Sequence, residues 1–204
     1  MCERCLRAQS SCICSWIRPL QSAAQVLILQ HPLEVAQAKG SGRLLHLSLA
    51  GSVLAQGEQF DEEMLRELLF GGAEGVMGQQ VQPVLLYPHT PGEPASALPD
   101  LSTPARLRLV VLDATWRKSR KMLHLNPLLQ ALPRLPLVDP PASRYRIRKA
   151  HRVDQLSTLE AACHALAQLE NDDAKFVPLL HAFDGFVAQQ GSYIPNDVLS
   201  DPQA

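Results

Sequence analysis

Four of the five cysteines in this 204-residue chain fall within its first fourteen residues: Cys2, Cys5, Cys12 and Cys14. A Cys-x-x-Cys turn presents two sulfurs to one metal, and Zn²⁺ takes four thiolates tetrahedrally. The second pair, Cys-x-Cys, is tighter than the usual knuckle. Structural zinc is the leading expectation; a redox or disulfide pair, or free thiols, are the alternatives. A metal held by four protein ligands has no open position, so it would fix an N-terminal arm, residues 1–20, and not catalyse. The second chemistry-bearing group is Asp113-Ala114-Thr115-Trp116. It sits between an apolar run, Leu107 to Leu112, and an amphipathic stretch, Trp116 to Leu125. A carboxylate at the end of a buried strand, next to a helix start, is where open α/β sheets usually place their chemistry.

Charge singles out the same region. The formal net charge is −1, yet twelve of the nineteen Lys and Arg residues lie between Arg106 and Arg152. That span holds only two acids, Asp113 and Asp139, and so carries a net charge of +10. Two basic clusters flank the turn: Arg117, Lys118, Arg120 and Lys121 on one side, and Arg144, Arg146, Arg148 and Lys149 around Tyr145 on the other. Cations neutralise phosphates, and an aromatic among them can stack on a base, so the expected partner is RNA. A merely solvated basic face is the bland alternative.

The elements that must position these groups follow from apolar patterning. Ala24 to Gln30 and Gln82 to Tyr87 read as buried strands, each stopped by a following proline, Pro32 or Pro88. Leu107 to Asp113 is a third, and Ser52 to Ala55 a short strand. Helices are expected over Arg43–Leu49 and over Asp61–Phe70, where Asp61 caps the start and Met64, Leu65, Leu68 and Leu69 form the buried face. Ser157 with Glu160 three residues later is a capping-box pattern opening a helix to about Glu170. A last helix covers Phe176 to about Gln190. Leu33 to Lys39 can form about two helical turns, and Gly40-Ser41-Gly42 reads as a flexible break. No apolar run approaches the roughly 18–20 residues that span a bilayer, and no signal-peptide core opens the chain. The expectation is a cytoplasmic protein with reduced thiols and no membrane association.

Asp113-Ala114-Thr115-Trp116, the basic Arg117-Lys118-x-Arg120-Lys121, Leu29-Gln30-His31-Pro32-x-Glu34, Gly42-Arg43-Leu44-Leu45, Leu85-Leu86-Tyr87-Pro88, Ser143-x-Tyr145-x-Ile147-Arg148 and Leu156-Ser157-Thr158-x-Glu160-Ala161 occur in an order that resembles the DTW-domain family. Within it the pattern is similar to the bacterial tRNA-uridine aminocarboxypropyltransferases, over roughly Cys2 to Ala165. One departure is Ala114, where the family often has Gly; a close backbone approach to a ligand there would be slightly more restricted.

The resemblance implies an α/β, SPOUT-like knotted sheet flanked by helices in residues 21–204, carrying the Cys-rich zinc-binding arm at residues 1–20. It implies transfer of the 3-amino-3-carboxypropyl group of S-adenosylmethionine to N3 of a variable-loop uridine in tRNA. A SPOUT-type RNA methyltransferase and a non-catalytic, zinc-containing RNA-binding module stay open as alternatives, as does the choice between monomer and homodimer. Such a transfer is chiefly a positioning task. Asp113 is expected as general base, as the group orienting the cofactor's amino end, or as a helix cap. Thr115 and Trp116 complete the catalytic set. Leu86, Tyr87, Pro88 and Leu112, with Asp113, Thr115 and Trp116, are the expected cofactor pocket.

Overall fold

The computed structural model describes residues 1–71, 81–89, 97–139, 141, 143 and 156–192. Among them, five strands form one wholly parallel sheet: β1 Gln25–Gln30, β2 Val53–Gln56, β3 Gln82–Leu86, β4 Leu107–Asp113 and β5 Arg134–Leu135, in the order β2-β1-β4-β3-β5. The helices are α1 Pro32–Val35, α2 Gly42–Ser48, α3 Glu62–Phe70, α4 Trp116–Leu125, α5 Pro127–Gln130, α6 Thr158–Glu170 and α7 Val177–Gly191.

Alternation along the central strands divides the core into two layers. Val26, Ile28, Leu107, Leu109 and Val111 face α2, α6 and α7. Leu27, Leu29, Val110 and Leu112 face α3, α4 and α5. β4 is buried along its whole length, as a strand covered by helices on both faces must be. Phe176, Phe183 and Phe186 are among the largest fully buried side chains of the α6/α7 face, and each contributes about 2–3 kcal/mol by leaving water.

The N-terminal arm shares that face. Ile13 and Ile17 are buried in the same cluster as α6 and α7. The Trp16 ring lies over Gly185 of α7, where an added Cβ would come within 2.1 Å of it, and the indole N–H donates to Gln189. Gln189 in turn donates to the Cys12 carbonyl at 3.1 Å. Trp16 and Ile17 thus pack the arm against the body.

The expected strands and longer helices are present, and Ser157 and Glu160 form both hydrogen bonds of the capping box. Three local expectations change. The stretch after Pro32 forms one helical turn, Pro32–Val35, because the chain then turns at Gln37–Gly40 to reach α2. Gly40, Ser41 and Gly42 are buried and packed, not a free hinge. Met64 is half exposed, so Leu65 and Leu69 carry the buried face of α3.

Candidate functional site

The strand order reverses between β1 and β4. From β1 the chain moves outward to β2; β3 and β5 lie beyond β4 on the other side. A crevice outside the carboxyl ends of two such strands is the usual ligand site of an open parallel sheet. Gln30, the last residue of β1, is in register with Asp113, the last residue of β4. The site expected from the sequence is therefore at the switch point.

Asp113 is the centre of the construction there. The residue is only 4% exposed. Oδ2 accepts from the Gln30 side-chain amide at 2.8 Å, and Oδ1 accepts from the Thr158 hydroxyl at 2.7 Å. Gly42, first residue of α2, lies against the same carboxylate: a Cβ built on it would stand 2.3 Å from Oδ2 and 2.5 Å from Cγ. The next residue of α6, Leu159, donates its N–H to the Ser41 hydroxyl at 3.2 Å. β1, β4, α2 and α6 thus meet at one carboxylate. Glu160 adds a further tie, since its Oε2 accepts from the Ser157 N–H at 2.8 Å and the Ser143 hydroxyl at 2.9 Å.

The aromatic residues stand beside this junction. Thr115 begins α4 as its N-cap; its carbonyl accepts from the Ser119 N–H at 2.7 Å, and its side chain makes no capping bond. Trp116 is 46% exposed and meets Tyr87 edge-on, with ring centroids 5.3 Å apart. Tyr87 is buried, and the Arg134 guanidinium lies 5.3 Å from its ring centre while donating to the Pro88 carbonyl at 3.2 Å. Such an edge contact, with a cation over the same ring, holds Tyr87 in one orientation. Leu86 is half-buried and Pro88 exposed at the same strand end, whereas Leu112 packs into the α3/α4/α5 core.

The basic helix is less uniformly free than its sequence suggests. Lys118 pairs with Glu34 at 2.8 Å, and Lys121 with Glu58 at 2.8 Å. His31 receives the Leu33 N–H on Nδ1, so its Nε2 carries the proton donated to the other Glu58 oxygen at 2.9 Å. Lys121 first, then His31, hold the Glu58 carboxyl below its ordinary range. Arg117 and Arg120 are exposed on α4. Arg144, Tyr145, Arg146, Arg148 and Lys149 lie outside the described residues. Glu34 is only 2% exposed, so Lys118→Ala takes an ion-pair partner away from a buried carboxylate. The expected cost is about 1–3 kcal/mol by denaturant unfolding, against less than about 0.5 kcal/mol for Arg120→Ala at the surface.

At the other end of the chain, the sulfurs of Cys2, Cys5, Cys12 and Cys14 all lie within 4.8 Å of one another. Cys2 and Cys14 are 3.6 Å apart, and Cys5 and Cys12 3.7 Å. Four sulfurs at ~2.3 Å from one tetrahedral ion are spaced by ~3.8 Å, so the cluster fits a metal ion. Backbone N–H groups of Cys5 and Arg4 bring the Cys2 thiol down to about 6, while burial, then the Cys2 sulfur, pushes Cys14 up to about 12. A divalent cation would let all four deprotonate.

Sequence reasoning missed Gln30 and Gly42 as site residues. Both stand within the motifs that carry the family resemblance, but their contact with Asp113 comes from strand register and helix placement.

The DTW domain matches residues 1–191, nearly the whole chain. The chain belongs to the DTW-domain family. The DTW stretch is the segment that forms the switch-point turn. Relatives include tRNA-uridine aminocarboxypropyltransferase 2 of Mus musculus, 30% identical over 95% of this chain and 65% of the mouse protein. The Drosophila melanogaster protein of the same name is 29% identical over 83% of this chain and 66% of its own length. tRNA-uridine aminocarboxypropyltransferase A of Arabidopsis thaliana is 24% identical over 63% of this chain and 52% of its own. The chain thus spans just under two thirds of the mouse and fly relatives. No solved structure matches it. Among the described residues, no helix is long and apolar enough to cross a membrane.

Proposed function

We propose that the protein is a tRNA-uridine aminocarboxypropyltransferase, moving the 3-amino-3-carboxypropyl group of S-adenosylmethionine to N3 of a variable-loop uridine and releasing methylthioadenosine. One observation carries the reading: the DTW stretch that defines the family coincides with the switch-point turn where a parallel sheet places its chemistry. The names of the relatives, tRNA-uridine aminocarboxypropyltransferases, support transfer of an aminocarboxypropyl group to a tRNA uridine.

The donor supplies a carbon already activated by its sulfonium. A bond forms between that carbon and uridine N3, the carbon–sulfur bond breaks, and the N3 proton leaves. The chain's task is to hold and orient. The half-exposed face of Trp116, braced by Tyr87, offers an apolar surface for the donor, with Leu86 and Pro88 beside it. Leu112 backs the turn from inside the core, and Thr115 sets the start of α4. Asp113 acts as a positioning residue, because its burial and its hydrogen bonds to Gln30 and Thr158 tie it to the elements that shape the crevice. Arg117 and Arg120 are the exposed cations on α4 suited to tRNA phosphates. Lys118 and Lys121 would first have to leave their acidic partners. Arg144, Tyr145, Arg146, Arg148 and Lys149 complete the proposed RNA surface.

In the same reading residues 21–204 form a SPOUT-like, knotted catalytic body, and residues 1–20 a zinc-bearing arm. A tRNA substrate and a cluster of reduced thiols support a cytoplasmic location in this reading. Protein purified anaerobically should contain about one zinc per chain, as Cys₄ sites hold a single ion, and Cys2→Ser with Cys14→Ser should lose it by elemental analysis. The function is tested by mass spectrometry of tRNA nucleosides from cells lacking the protein. The 3-amino-3-carboxypropyl uridine should disappear; its persistence at the normal level would contradict the assignment.

A further inference from the structure

The Cys cluster and the switch-point site are connected through Arg7. Its backbone belongs to the knuckle: the Cys2 N–H donates to the Arg7 carbonyl at 2.7 Å, closing the turn that carries Cys2 and Cys5. Leu6 takes a left-handed φ of 59° within that turn. The Arg7 side chain leaves the knuckle and donates to two carbonyls of the α1–α2 turn, Ala38 and Gly40, the latter at 2.7 Å. Its guanidinium also lies 5.3 Å from the centre of the buried Phe186 ring, which limits its freedom. A second strut runs the other way, from Arg43 of α2 to the Arg4 carbonyl at 3.0 Å.

The turn that Arg7 holds ends at the site. Ser41 accepts from Leu159 of α6, and Gly42 packs against the Asp113 carboxylate with no room for a single added carbon. A shift of a few tenths of an ångström in Gly40–Gly42 is therefore felt by Asp113. The outer end of this chain is the knuckle, whose four sulfurs lie within 4.8 Å of one another, a spacing that one bound ion would fix.

We infer that Arg7 is a positioning residue that transmits the geometry of the metal knuckle to the Gly40–Gly42 turn, so that metal binding by the N-terminal arm sets the wall of the switch-point site. The link holds whatever substrate the site takes.

Hydrogen exchange on the full-length, metal-loaded protein tests it. In Arg7→Gln, amides of residues 38–45 should exchange about tenfold faster, a loss of about 1.4 kcal/mol of protection, while metal content stays unchanged. Amides of α3, on the opposite face of the sheet, serve as reference and should not move. Stripping the metal from the wild-type protein with a chelator should loosen the same 38–45 amides. Arg7→Lys, which keeps a charged donor, should restore part of the protection. Unchanged exchange at 38–45 in Arg7→Gln would overturn the inference. Metal loss in that variant would overturn it too, because Arg7 would then serve the knuckle and not the turn. In parallel, calorimetry should show weaker S-adenosylmethionine binding in Arg7→Gln than in wild type, with Arg7→Lys between them. Failure of the wild-type protein to bind this donor would count against the transferase assignment alone, and the exchange result would still decide the role of Arg7.

Discussion

Asp113→Ala is expected to cost about 2–4 kcal/mol in unfolding free energy, because a buried donor left without a partner costs roughly 1–3 kcal/mol and two donors, one buried and one half-buried, lose this acceptor. The donors are the Gln30 amide and the Thr158 hydroxyl. Transfer activity should fall about 100-fold or more, as the crevice walls lose registration. Asp113→Asn separates positioning from proton abstraction. The Asn oxygen can accept from Gln30, and its amide can donate to the Thr158 hydroxyl, which accepts as readily as it donates. Shape and the bonds to Gln30 and Thr158 survive while the charge is gone. As a positioning residue, Asp113→Asn should stay within about 1 kcal/mol of wild type and keep activity within about tenfold. Loss of a general base would instead remove roughly 10²–10⁴ of the rate with stability intact. Urea unfolding and single-turnover transfer assays on the two variants decide the matter.

Gly42→Ala is the second large effect. The new methyl would fall 2.3 Å from Asp113 Oδ2 and 3.0 Å from Oδ1. Asp113 cannot swing aside cheaply, since its side chain is short, buried and hydrogen-bonded on both oxygens. The start of α2 must move, at an expected cost of about 1–3 kcal/mol and with a large loss of transfer. Combining it with Asp113→Ala removes the obstacle. The double variant should then be more stable than the sum of the single effects by about 1 kcal/mol or more. Strict additivity in a double-mutant cycle would show that Gly42 and Asp113 do not share this contact.

What the sequence made legible was local. The apolar runs of β1, β3 and β4 mark the strands, the Ser157/Glu160 spacing marks the start of α6, and four cysteines within thirteen residues mark the four-thiol cluster. What it hid was partnership across distance. Gln30 and Asp113 are 83 residues apart and meet only because two parallel strands end in register. The +10 segment overstated the free positive charge, because Glu34 and Glu58 come from far upstream to pair with Lys118 and Lys121. Gly42 looked like a flexible residue, yet space rather than flexibility requires it. Trp116 could have been core or surface on its apolar character, and only the fold leaves nearly half of it open beside Tyr87.

The reaction itself is tested most directly by donor labelling. The purified protein is incubated with tRNA and S-adenosylmethionine labelled either in the aminocarboxypropyl portion or in the methyl group. Label should reach tRNA only from the aminocarboxypropyl portion, with methylthioadenosine released in equal amount. Label arriving from the methyl group instead would contradict the account and make the protein a methyltransferase built on the same site.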